Sequence, residues 1–322
     1  MLIKYGFFYL VEILYICINF INMDKLGYAC INMTLAEKKI TVNRGMTKKT
    51  FEKKGLSYVS DLVVLNIKDF ITIINWNEDN FIKNYRMSSD MFPWFSNYNL
   101  EDLPNYSIIK NFMKDAGMLI KKYGHKLSCH PGPFNCLASP NENVVENTIF
   151  ELEQHSKLFD LLELDRSHLY NINIHIGGVY GNKQETMNRF IINFNKLSES
   201  VKSRLTLEND DSKNGYTVKD LYYIYDKTGI PIVFDTLHYY CNPGDMNYED
   251  SFNLAYSTWN DSIPEMHHAS SKKLWEDSSK TIKTHADYIF DKINTCDKDV
   301  YVTIESKMKE LAVLKYRKDM IN

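Results

Sequence analysis

The 322 residues are 44% apolar and 25% charged, an ordinary globular composition that excludes a disordered chain and supplies a substantial core for one large domain or two smaller ones. A formal net charge of −3 gives no overall pull toward nucleic acid, so the basic runs at residues 38–54 (Lys38, Lys39, Arg44, Lys48, Lys49, Lys53, Lys54) and in ESKMKELAVLKYRKD read first as solvated faces. The six cysteines (Cys17, Cys30, Cys129, Cys136, Cys241, Cys296) form no C-x-x-C pair in a chain too large to need staples, and read as reduced thiols of an intracellular protein.

The opening MLIKYGFFYLVEILYICINFIN is apolar over residues 7–21 except for Glu12 and Asn19. That run is shorter than the ~20 residues of a membrane span, and no small-residue cleavage site follows it. From Met23 the text MDKLGYACINMTL reads as the start of a domain. The expected organisation is an apolar extension over residues 1–22, as an upstream stretch of reading frame or a weak membrane anchor, and one domain over residues 23–322.

From residue 25 onward, short β-type runs alternate with longer stretches of helical period. The runs are residues 25–30, 82–87, 125–130, 170–176, 204–209, 230–236, 263–268 and 299–305. Between them, SYVSDLVVLNIKDFITIIN, YSIIKNFMKDAGMLIKKYG, VVENTIFELEQHSKLFDLLEL, TMNRFIINFNKLSESV and VKDLYYIYDKTG carry apolar residues at three and four spacing. Gly124 and Gly229 stand where two of these helices should end. Eight strands alternating with helices predict an α/β fold, a single-domain parallel (β/α)8 TIM barrel.

In such a barrel the active site lies at the C-terminal ends of the strands. The third run ends on His130, the fourth carries His175, the fifth ends near Glu208, and the sixth carries Asp235 with His238 three positions on. The seventh carries Glu265 and His267, the next segment brings His285, and the eighth ends on Glu305. Each has an ordinary structural explanation when taken alone: a core histidine, a helix-cap partner, a salt-bridge member. Together they place nine carboxylate or imidazole groups at one mouth, with Lys and Arg read as nearly absent from the strand ends. A multinuclear metal site relieves that repulsion, and mixed N/O donors suit Zn²⁺, Mn²⁺ or Fe²⁺ better than Ca²⁺.

The stretches KLGYACINMTL, YRMSSDMFPWFS, LSCHPGPF, INIHIGGVYGNKQETMNRF, LTLENDD, IVFDTLHYYCNPGD and ESKMKE, in this order from about Lys25 to about Leu311, resemble the UV damage endonuclease family. The resemblance implies a TIM barrel related to endonuclease IV that holds two or three divalent ions, Mn²⁺ foremost, with Zn²⁺ or Mg²⁺ as alternatives. It implies nicking of damaged double-stranded DNA immediately 5′ of a UV photoproduct or other lesion; a monomer with no obligate protein partner is expected. Carried over by position, the metal ligands are His130, His175, Glu208, Asp235, His238, His267, His285 and Glu305, with Glu208, Asp235 and Glu305 as the catalytic carboxylates. Tyr28 and Asn32 match a segment that lies near the DNA in relatives.

Three positions depart from the family pattern. Pro133 and Phe134 stand where relatives carry the Gln and Tyr that wedge into the duplex; Phe134 can still stack, whereas Pro133 offers no side-chain hydrogen bond. Glu265 stands where relatives carry a carboxylated lysine at the metals, and is expected to supply a carboxylate directly. Asn97 replaces a histidine and is a weaker ligand. The rival expectations are an abasic-site endonuclease, a metal-dependent sugar isomerase on the same barrel, and a non-catalytic binder of damaged DNA.

Overall fold

The computed structural model describes residues 23–321; the expected extension over residues 1–22 lies outside them. Each expected β run contains one strand: β1 (Leu26–Ala29), β2 (Asn84–Met87), β3 (Lys126–Cys129), β4 (Ile172–Ile174), β5 (Leu205–Glu208), β6 (Ile232–Asp235), β7 (Glu265–His268) and β8 (Tyr301–Ile304). All pair in parallel in sequence order, and β8 returns to β1 through Leu26↔Val302, Gly27↔Thr303 and Tyr28↔Ile304, closing the barrel. The fold is the (β/α)8 barrel that the alternation of runs predicts. The strands are shorter than the runs, which extend past them mostly at their N-terminal ends.

Side chains alternate between the two faces of a strand, and here the alternation separates apolar from polar. The outward set, including Leu127, Ile172, Ile174, Leu205, Leu207, Ile232, Phe234, Val302 and Ile304, packs with helix residues such as Ile67, Phe70, Ile109, Met113, Phe159 and Phe190. Burying each such side chain contributes roughly 1.5–3 kcal/mol. Contacts between non-adjacent strands identify the inward set: Asn84 of β2 with Thr303 of β8, and Lys126 of β3 with Glu265 of β7. The interior is therefore polar, an arrangement tolerable only where every group finds a partner.

That partnering runs as one chain of side chains. Asn84 donates to Thr303 (3.1 Å) and Thr303 to Glu265 (2.7 Å), while Lys126 joins Glu265 (2.8 Å) to Asn171 (2.7 Å). Asn171 continues to Thr206 (3.0 Å), Thr206 to Asn173 (3.0 Å), and Asn173 donates to Glu208. At Gly27, wedged between β2 and β8, a Cβ would stand 2.0 Å from the Asn84 carbonyl oxygen, so only glycine lets the ring close there. The helices Tyr106–Tyr123 and Val218–Thr228 end on Gly124 (φ 67°) and Gly229 (φ 76°), the left-handed caps expected of them.

Among the described residues no helix is long and apolar enough to cross a membrane, and Cys30, Cys129, Cys136, Cys241 and Cys296 are free thiols.

Candidate metal centre

Glu208, the last residue of β5, is 2% exposed and stands in a ring of imidazoles. Its carboxylate oxygens lie 3.0 Å from His267 Nδ1, 3.1 Å from His238 Nδ1, 3.5 Å from His130 Nε2 and 3.8 Å from His175 Nε2. Burial alone would raise its pKa, but the surrounding imidazoles, His267 and His175 foremost, hold it well below the usual carboxylate range.

The imidazoles are aimed by what their Nδ1 atoms face, in His238 both the Asn209 carbonyl and Glu208. Nδ1 lies 3.0 Å from the Pro131 carbonyl oxygen in His130, 2.8 Å from that of Asn209 in His238 and 2.8 Å from that of Glu305 in His285. Each contact favours a proton on Nδ1 and leaves an Nε2 lone pair for a ligand. In His175, Nδ1 lies 2.9 Å from Asp210 Oδ1, which puts a carboxylate behind the ring and Nε2 on the Glu208 side. A carboxylate or carbonyl behind a histidine is the arrangement that orients metal-binding imidazoles.

Asp235 closes β6 and caps the short helix Thr236–Cys241, its Oδ1 accepting the His238 N–H at 2.7 Å. The i, i+3 spacing brings His238 back over Asp235 on the same side, which is why an acid and an imidazole three residues apart share one site. Asp235 Oδ2 and both ring nitrogens of His267 are buried with no hydrogen bond to any described residue. Two groups have ligand atoms within 4.8 Å of one another: His130, His175 and Glu208, and Glu208, Asp235 and His267. Glu208 belongs to both, so its carboxylate is placed to be shared between two cations. The buried unpaired atoms and the N/O donor set fit divalent ions.

Arg86 is the basic residue near the mouth, and Lys126 lies at the opposite end of its strand, deeper in the barrel. Arg86 of β2 is paired with Glu305, just past β8, and Lys126 of β3 with Glu265. Burial acts to raise the Glu305 pKa, but Arg86 and then His267 push it far down. Glu208 and Asp235 have no such fixed cation, and their charge falls on the imidazoles. Against the effect of burial, Asp235 and Glu208 raise His238 to about 11, and Glu208, Glu265 and Glu305 raise His267 to about 10. Protons there do what bound cations would otherwise do.

Four further sites land differently from expectation. Glu265 sits below His267, with its oxygens on Lys126, Ser128 and Thr303. Tyr28 and Asn32 are buried rather than exposed toward a ligand: Tyr28 donates to Asn77 (2.8 Å), and Asn32 donates to Tyr28 (2.9 Å) while its Oδ1 caps the turn at Leu35. The β1 loop that they shape is pinned by Glu310, which accepts from Met33 N–H and Thr34 N–H at 2.7 Å. Asn97 belongs to neither ligand group; it lines a cleft of about 540 Å³ with Trp94, Glu151 and His155. Pro133 and Phe134 project from the loop after β3, Phe134 with 88% of its surface exposed. The sequence reading passes over Asp210, whose one signal is its place in the LENDD text two residues after Glu208.

A model of the UV-endonuclease UvdE family matches residues 24–322. This chain belongs to that family. A putative UV-damage endonuclease of Acanthamoeba polyphaga mimivirus is 33% identical over 303 residues, covering 91% of this chain and 90% of the relative. The UV-damage endonuclease of Schizosaccharomyces pombe is 34% identical over 305 residues, and there the chain spans about half (49%) of the relative's length. Among solved structures, SacUVDE superposes with a TM-score of 0.79 at 27% identity, over 92% of this chain and 97% of its own. The UvdE match thus takes in all eight strands and every residue placed at the centre.

Proposed function

We propose that this chain is a divalent-cation-dependent DNA repair endonuclease that cuts the phosphodiester backbone 5′ of UV photoproducts. The observation that carries the reading is Glu208, buried, ionised and common to two ligand groups. Two of its relatives, from a virus and a yeast, carry the name UV-damage endonuclease.

Divalent ions, when bound, supply an acidified water and a clamp on the phosphate oxygens. The residues that would hold them are His130, His175, Glu208, Asp235, His238, His267, His285 and Glu305, and the donor set accommodates Mn²⁺, Zn²⁺ or Mg²⁺. The chain's own contribution is preorganisation: backbone carbonyls and Asp210 fix the rings, and Arg86 keeps Glu305 ionised. Phe134, held clear of the surface, can enter a duplex as an apolar wedge beside Pro133. Damaged bases stack poorly, so extruding them costs less than extruding intact ones, and that difference supplies selectivity. The exposed Lys38, Lys39, Lys48, Lys49, Lys53 and Lys54 beyond β1 offer phosphate contacts outside the mouth.

The test is a panel of duplexes, undamaged, abasic and dimer-containing, incubated with Mn²⁺ or with chelator. The expected result is a nick immediately 5′ of the dimer that chelator abolishes. Cutting confined to the abasic duplex would restrict the substrate to that lesion. Chelator-insensitive binding without cleavage would make the chain a damaged-DNA binder, and turnover of small sugars would make it an isomerase.

A further inference from the structure

We infer that Glu265 is a positioning residue that orients His267 from behind and is not itself a cation ligand, with Lys126 as its fixed counter-charge; the inference rests on the cation-dependent reading above. A carboxylate offers about four acceptor directions. Three are taken from inside the barrel: Lys126 Nζ at 2.8 Å, Thr303 Oγ1 at 2.7 Å and Ser128 Oγ at 3.2 Å. Oε1, which accepts from Ser128 and Thr303, also lies 3.5 Å from His267 Nε2, while Oε2 accepts from Lys126.

The two ring nitrogens of an imidazole face opposite ways. His267 Nδ1 stands 3.0 Å from Glu208 and 3.5 Å from Glu305, so Nδ1 is on the ligand side and Nε2 on the Glu265 side. The order is carboxylate, imidazole, cation, with Glu265 outermost. An ammonium already neutralises this carboxylate: Lys126 is fully buried and divides its donors between Glu265 and Asn171 at 2.7 Å. A paired carboxylate has little net charge left to attract a divalent ion. Through Asn171, Thr206 and Asn173 the same side-chain chain reaches Glu208, so both supports of the centre rise from one layer.

The experiment titrates Mn²⁺ into the full chain and counts bound ions by elemental analysis, for wild type, Glu265→Gln and the double variant Lys126→Met/Glu265→Gln. The double variant removes both charges and so keeps a folded protein in hand if an unpaired Lys126 unfolds the single one. Expected is the wild-type number of ions with affinity weakened about 10–100-fold in the double variant, the usual effect of losing an orienting partner. Loss of one whole ion at unchanged affinity for the rest would make Glu265 a ligand and overturn the inference. Wild-type affinity in the double variant would reduce Glu265 to a core partner of Lys126 and overturn it equally. In ¹⁵N-histidine spectra of the Zn²⁺-loaded wild type, His267 should carry its proton on Nε2; a proton on Nδ1 would sink the proposed order. If wild type takes up no divalent ion, the cation-dependent reading falls along with this one, an outcome separate from the others.

Discussion

Asp210 Oδ1 lies 2.9 Å from His175 Nδ1, while the ring's other nitrogen faces Glu208 at 3.8 Å. Asp210 is also tied to the backbone, accepting the Tyr216 N–H at 2.9 Å, so the acid that aims the ring is itself held. Asp210→Asn should weaken cation affinity and nicking by about 10–100-fold with little change in the melting temperature. Parallel Mn²⁺ titration and nicking assays check this, and an unchanged affinity would leave Asp210 with only its loop contact.

Glu208→Gln keeps the size of the side chain and the contact with Asn173 but removes the charge shared by both ligand groups. Nicking of a dimer-containing duplex should drop by more than about 100-fold, beyond the effect of losing a supporting residue. The far-ultraviolet circular dichroism spectrum should stay that of the wild type.

The cation-free protein should lose stability as pH rises. His267 and His238 titrate near 10 and 11 in the fold but near 6.5 in the unfolded chain. The stability from their imidazolium forms is therefore complete below about pH 6.5 and lost progressively up to 10–11. Glu208 acts at the other end: its pKa is depressed, so its contribution is present above about pH 4.5 and lost as pH falls further. In chelator the melting temperature should fall between pH 6.5 and 10, and added divalent ion should raise it more at the alkaline end, where fewer protons must be displaced. Melting curves across pH with and without Mn²⁺ decide the matter; a flat profile in chelator would contradict the charge assignment.

Phe134→Ala should leave stability within about 0.5 kcal/mol, since the side chain is 88% exposed. If the ring stacks on an unpaired base, its loss should weaken binding to damaged duplex by about 1–3 kcal/mol. Anisotropy with dimer-containing and intact duplexes measures both, and equal losses on the two would assign Phe134 to general contact.

The eight strands were legible because short β-type runs alternate with stretches of helical period, and the gathering of acids and imidazoles around Glu208 was legible because a barrel brings its strand ends to one mouth. Gly124 and Gly229 were legible for a local reason, the left-handed turn that ends a helix. Partners distant in sequence were not. Arg86 finds Glu305 from 219 residues away and Lys126 finds Glu265 from 139, and nothing in NYRM or HKLSCH marks either base as facing the interior. The burial of Tyr28 and Asn32 escaped for the same cause: Asn77 and Glu310, which anchor them and their loop, come from remote helices.

In a ring of eight strands, β3 and β7 stand across the full diameter, and the contact of Lys126 with Glu265 spans it. Any widening of the cylinder must pull opposite charges apart in a dry interior, at a steep cost. The gap between the wall bearing His130 and the wall bearing His267 is thereby gauged from beneath. The spacing of the donor atoms at the rim becomes a dimension of the scaffold, set below the loops that carry the mouth.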